Sequence, residues 1–192
     1  MMLMITIFWE GRSKMNLPNK ITIIRVIAVP FFVVLFNLNY AFPAAILFCI
    51  ASATDALDGY IARKRGLVTN FGKIMDPLAD KIIVIAAFIL LVQSGKIPGW
   101  MIIVILAREF IVAGLRTVAA VDGIVIAAGI WGKLKTATQM LAIPFLIVDN
   151  WPFEMIGIPV DQILLWLCVA LTVISGIEYI YKNRRIFLKG GI

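Results

Sequence analysis

Residues 43–65 read PAAILFCIASATDALDGYIARKR. An apolar run passes through the small residues Ala51, Ser52, Ala53 and Thr54, then ends in Asp55, Asp58 and the basic exit Arg63-Lys64-Arg65. Lipid-like at its start and charged at its end, the stretch reads as a membrane helix inside a bundle, because small residues let helices pack closely in a bilayer. Residues 72–80, GKIMDPLAD, add Asp76 and Asp80. Asp55 and Asp58 are three apart and Asp76 and Asp80 four apart, so on helices each pair shares one face. A carboxylate in lipid is costly unless paired or coordinated, which makes the four of them a functional site by default.

Composition agrees with a membrane setting. The chain of 192 residues is 62% hydrophobic and 15% charged, with a mean hydropathy of +1.00. Soluble domains run at roughly 45–50% apolar and about 25% charged. An integral membrane protein of one domain is expected, with no room for a separate soluble domain. The net charge of +7 comes from 18 Lys and Arg against 11 Asp and Glu. In this setting it points to the positive-inside rule and to anionic head groups. Nucleic acid is not an expected partner, since no polar segment interleaves aromatic and basic residues. Histidine is absent, and Cys49 and Cys168 lie in apolar runs outside any CxxC. A metal site here must be built from oxygen ligands, which favours Mg²⁺ or Mn²⁺ over structural zinc.

The expected fold is all-α: a polytopic bundle of six transmembrane helices with a short N-terminal juxtamembrane helix. The spans run from about Ile23 to Leu38 with a kink at Pro30, from Pro43 to the basic exit, and from Asp76 to Val92 with Pro77 in its first turn. They continue from Trp100 to Val121, from the Gly132–Thr136 segment to Asp149, and from Val160 to Tyr181, each near the ~20 residues a crossing needs. Residues 15–192 form the domain. Residues 1–14 are read as an extension outside it, with Met15 an alternative start and no signal-peptide pattern. Six spans put both termini on the side that receives Arg63–Lys73, Lys133, Lys135 and the C-terminal basic cluster, while the opposite loops hold Lys96 alone. That asymmetry places both termini and the aspartates on the cytoplasmic side.

Four carboxylates on the facing ends of two helices can hold two divalent cations, an arrangement suited to substitution at phosphorus. One of them, Asp80 by its position, can instead take the proton from an attacking hydroxyl. The plainer alternative is that the acids are interfacial charges paired with Arg63, Lys73 and Lys81. Asn19, Thr22 and Arg25 fall at i, i+3 and i+6, within roughly a 120° arc of a helix. They suit a ligand-facing element, or else a helix cap at Asn19 and a snorkelling Arg25.

The order Asp55-x-x-Asp58-Gly59-x-x-Ala62-Arg63, followed by Gly72-x-x-x-Asp76-x-x-x-Asp80, resembles the signature of the CDP-alcohol phosphatidyltransferases at every fixed position. The six-span layout is similar too, so the resemblance covers nearly all of the chain after Met15. It implies a homodimer in a bacterial cytoplasmic membrane, two divalent cations, a CDP-linked lipid donor (CDP-diacylglycerol) and CMP as leaving group. It further implies Asp55, Asp58 and Asp76 as metal ligands and Asp80 as ligand and general base. Gly59, Ala62, Arg63 and Gly72 would then face the cytidine nucleotide, with Asn19, Thr22 and Arg25 near the donor.

For the acceptor, Arg108 and Arg116 are about 80° apart around a helix and can face one cavity, and Lys133 and Lys135 open the next span on the same side. Cations beside a metal site suit an anionic alcohol. With Asn16-Leu17-Pro18-Asn19 and Ala107-Arg108-Glu109, they resemble the branch of the family whose acceptor is sn-glycerol 3-phosphate. Each basic residue also has a simpler reading, as a head-group contact or, for Arg108, as a partner of Glu109. Other acceptors (inositol phosphate, serine, phosphatidylglycerol) and a cation- or proton-coupled transporter are the alternatives.

Overall fold

The computed structural model describes the backbone of residues 17–65, 70–121, 123–124, 126–127 and 129–189, and the side chains of 23–54, 81–120, 123–124, 126–127 and 129–184. Six α-helices follow in order: α1 Leu17–Asn37, α2 Ala41–Arg65, α3 Asn70–Gln93, α4 Gly99–Val121, α5 Ile130–Ile147 and α6 Val160–Lys189. A 3₁₀ turn, Phe153–Ile156, lies in the last connection, and there is no strand among the described residues. The connections are short, so successive helices run antiparallel. Helix α1 packs on α2 and α3, α2 on α5, α5 on α6, and α6 on α4.

Three expected boundaries differ, the last being that of α6, which runs on to Lys189 rather than ending near Tyr181. Helix α3 begins at Asn70 rather than Asp76, so Pro77 falls inside the helix instead of in its first turn. Its lost N–H is then a missing bond in the ladder and not one of the free donors of a helix start. Helix α1 runs unbroken from Leu17 to Asn37 through Pro30, so among the described residues no separate juxtamembrane helix precedes the first apolar one. Asn19 consequently lies within the first turn and not ahead of it.

The apolar core gathers at one end of the bundle. Phe32, Phe48, Phe88, Leu91, Ile105 and Ile143 are all buried there, drawn from the second halves of α1, α3 and α5 and the first halves of α2 and α4. The other end joins a smaller apolar cluster of Val112, Leu115 and Tyr179 to buried polar groups, Arg25, Lys135 and Ser175. Buried hydroxyls are met by their own helices: Thr172 donates to the Cys168 carbonyl at 2.7 Å and Ser175 to that of Thr172 at 3.1 Å. Ile24, Ile27 and Phe31 on α1, and Ile163, Trp166 and Ile177 on α6, point outward and are exposed. Apolar surface on this scale marks a face that meets lipid or another protein. By length and composition one described stretch, Val160–Arg184, is long and apolar enough to cross a bilayer. Ile23–Asn37, Ala41–Thr54 and Lys81–Gln93 are shorter apolar helices.

The dry end is closed by a polar clasp. Lys96, in the α3–α4 turn, donates to the carbonyls of Leu146 and Ile147 at 3.2 and 3.1 Å and meets the Asp149 carboxylate at 2.7 Å. Those carbonyls belong to the last turn of α5, where intrahelical partners run out. Asn150, at φ 64°, donates to the Ile158 carbonyl at 2.7 Å and accepts from the Asp161 N–H at 3.2 Å. It thereby satisfies a free donor at the start of α6. Replacing Lys96 by Met removes the clasp while keeping the stem. It is expected to cost about 1–3 kcal/mol of stability, read as a lowered melting temperature of the solubilised protein, and an unchanged melt would refute the role.

Candidate active site

Asp55 and Asp58 lie in the last part of α2 and Asp76 and Asp80 in the first part of α3. The two helices are in contact, and the antiparallel hairpin brings these stretches to the polar end of the bundle. The side chains of Asp55, Asp58, Asp76 and Asp80 lie outside the described residues, as do those of Asn19, Thr22, Gly59, Ala62, Arg63 and Gly72. Their helical register puts Asp55 and Asp58 on one face of α2, and Asp76 and Asp80 on one face of α3.

Arg25 is 4% exposed. A snorkelling arginine would hold its head group at the surface; this one points into the bundle, on the helix that packs against both α2 and α3.

The four basic residues expected at the acceptor separate into three environments. Lys133 is exposed. Lys135, 2% exposed, donates from Nζ to Glu109 Oε1 at 2.8 Å. The same oxygen accepts from Arg108 Nη1 at 3.0 Å, and Lys81 Nζ stands 3.9 Å from Oε2. One carboxylate thus gathers three cations from α3, α4 and α5. A lone buried ammonium would be strongly destabilising, and the adjacent carboxylate offsets most of that cost. Beside this cluster a cavity of about 190 Å³ is walled by Lys81, Glu109, Lys135 and Gln139 with Val84 and Leu106. The apolar walls lie deeper in the bundle than the charged ones.

Arg108 and Arg116 do meet at one cavity, of about 240 Å³, between α4, the start of α5 and the end of α6. Tyr179, Glu178, Lys182 and Asn183 complete its wall. The Arg116 guanidinium lies 5.7 Å from the centre of the Tyr179 ring, within the range of a cation–π contact. Glu178 pairs with Lys182 at 2.6 Å. Two buried donors on this wall, Tyr179 Oη and Arg108 Nε, have no hydrogen-bond partner among the described residues. Both atoms are sealed from solvent as the helices stand, so neither is open to the cavity.

Two glycines shape the passage that Arg108 takes. A Cβ on Gly176 of α6 would come 3.2 Å from Arg108 Cγ, and one on Gly132 of α5 would come 3.3 Å from Nη2. Both distances are tight, so a side chain at either place would press on Arg108, at Gly176 against its stem and at Gly132 against its guanidinium end.

Sequence reasoning treats Glu109 only as a partner for Arg108 and misses Tyr179, Glu178, Lys182 and Asn183. The usable signal was the Glu178–Lys182 spacing of four after a tyrosine, on the helix that returns to the polar end.

A family model described as CDP-alcohol phosphatidyltransferase matches residues 15–174. A CDP-diacylglycerol–glycerol-3-phosphate 3-phosphatidyltransferase of Bacillus subtilis strain 168 is 48% identical over 183 residues, covering 88% of this chain and 95% of its own length. A protein of the same name from Rickettsia prowazekii is 41% identical over 172 residues, covering 88% and 95%. Another, from Haemophilus influenzae, is 40% identical over 177 residues, covering 87% and 92%. With the aspartate register carried on two contacting helices and a match across most of its length, the chain belongs to the CDP-alcohol phosphatidyltransferase family.

Proposed function

We propose that this protein transfers the phosphatidyl group of CDP-diacylglycerol to sn-glycerol 3-phosphate, forming phosphatidylglycerol phosphate and releasing CMP. The relatives described above carry that reaction in their names. The observation that carries the acceptor is the cavity where Arg108 and Arg116 meet. A small cavity lined by two guanidiniums suits a phosphate monoester. A net-neutral alcohol such as serine gains little from it.

Asp55, Asp58, Asp76 and Asp80 would hold two divalent cations, Mg²⁺ or Mn²⁺. The donor set fits them, being hard oxygens on two contacting helices in a chain without histidine. When bound, the cations supply charge neutralisation at the pyrophosphate of the donor. The remaining work belongs to the protein. Asn19, Thr22 and Arg25 of α1 flank the donor, and Gly59, Ala62, Arg63 and Gly72 receive its cytidine nucleotide. Arg108 and Arg116 hold the acceptor's phosphate. Lys135 steadies Glu109, to which its ammonium donates. Asp80 removes the proton of the acceptor hydroxyl as that oxygen bonds to the phosphorus bearing diacylglycerol. The bond from this phosphorus to the bridging oxygen breaks, and CMP leaves with its electron pair.

The same proposal has six helices crossing a bacterial cytoplasmic membrane, both termini and the aspartates on the cytoplasmic side, and two copies forming a homodimer. The outward-facing apolar side chains of α1 and α6 support it. So does the charge asymmetry, since Lys96, the basic residue of the opposite turns, is held by Asp149. Here a lipid donor in the leaflet meets an acceptor from water.

Purified protein supplied with CDP-diacylglycerol, sn-glycerol 3-phosphate and Mg²⁺ or Mn²⁺ should release CMP, with phosphatidylglycerol phosphate seen by mass spectrometry. Chelation should abolish the release and added metal restore it; absence of metal-dependent CMP release would refute the assignment. Asp80→Asn is expected to lower kcat by about 10²–10⁴-fold, and full activity in this variant would exclude the base role. Arg116→Gln should raise KM for glycerol 3-phosphate by about 10-fold or more while leaving KM for the donor within about twofold. Equal KM values in variant and parent would remove Arg116 from the acceptor site.

A further inference from the structure

Glu109 lies one residue from Arg108 and lines the neighbouring cavity, not the one where Arg108 and Arg116 meet. Its Oε1 accepts from Arg108 Nη1 at 3.0 Å and from the buried Lys135 at 2.8 Å. The contact occupies one end of the guanidinium. Nε, on its other edge, is buried and has no hydrogen-bond partner among the described residues. The stem of Arg108 is confined by Gly176 and its Nη2 by Gly132. A guanidinium held at one nitrogen, with its stem beside Gly176, is kept at the wall it shares with Arg116.

We propose that Glu109 is a positioning residue for the acceptor: its carboxylate, anchored on the buried Lys135, holds the Arg108 side chain at the wall of the cavity it shares with Arg116, where the phosphate of the incoming alcohol would sit. This rests on the acceptor reading given above. Glu109 itself touches neither substrate nor reacting atoms. Lys135 has the task of fixing that carboxylate. The anion is then held by Arg108 and Arg116, and glycerol 3-phosphate would bind without displacing an internal ion pair.

The test compares KM and kcat for glycerol 3-phosphate and for CDP-diacylglycerol in Arg108→Gln, Glu109→Gln and the double variant Glu109→Gln/Lys135→Met. The double variant removes the carboxylate together with the ammonium that would otherwise be stranded, so it keeps the question open to measurement if the single variant does not fold. Arg108→Gln should raise KM for glycerol 3-phosphate by about 10-fold or more. Glu109→Gln, and the double variant with a near-parental melting temperature, should raise the same KM about 3- to 10-fold, with donor KM and kcat within about twofold. Glu109→Asp, which keeps the charge, should recover part of the loss. If Arg108→Gln leaves KM unchanged, the acceptor site itself is misassigned and the role of Glu109 falls with it. If Arg108→Gln raises KM while a folded Glu109 variant does not, the acceptor site stands and the positioning role is overturned. A fall in kcat with both KM values unchanged overturns it as well.

Discussion

Lys135 keeps its charge among packed helices because Glu109 stands 2.8 Å away, and much of the polar end of this protein follows from that contact. A charge taken out of water needs a partner of opposite sign with good geometry, or the fold loses several kcal/mol. Glu109 meets the need for residues on three helices at once, so α3, α4 and α5 are tied together where apolar packing gives way to polar groups. The bundle is consequently divided along its length. One end is held by side chains such as Phe32, Phe88 and Ile143; the other adds charge to a smaller apolar cluster of Val112, Leu115 and Tyr179, and the aspartate-bearing stretches of α2 and α3 run into it.

This division also explains how chemistry on charged phosphates can be joined to a lipid substrate. The dry end needs no water and is sealed by Lys96 and Asn150 on backbone groups. At the polar end, cavities with charged walls lie close to apolar ones: that beside Glu109 passes from Lys81 and Lys135 to Val84 and Leu106. A molecule with an anionic head and a hydrocarbon tail needs such a gradient, and a bundle that is uniform along its axis has none.

Much of this was legible from local spacing. The aspartate register of α2 and α3 depends only on positions three and four apart, and helix number depends on runs of apolar residues, so both can be read without tertiary information. Boundaries were less legible. The helix of Asn70–Gln93 starts well before its apolar run, because polar residues inside a bundle are as helical as apolar ones. Partnerships across helices were the least legible. Lys133 and Lys135 are two residues apart and look equivalent, yet one is exposed and the other buried on Glu109. Only the packing of α5 against its neighbours separates them. Tyr179 was invisible for the same reason, since a tyrosine near the end of an apolar helix is usual in membranes, and its unmet hydroxyl appears only when the surroundings are known.

The slot between Gly132 and Gly176 has a thermodynamic consequence for the arginine inside it. A free arginine side chain carries about 2 kcal/mol of rotamer entropy, normally surrendered when it grips an anion. Here the close approach of two helix backbones to Arg108 surrenders much of that freedom during folding, before any ligand arrives. The loss falls on the stability of the bundle and not on a binding step, so an anion reaching this guanidinium would meet a side chain with little left to lose.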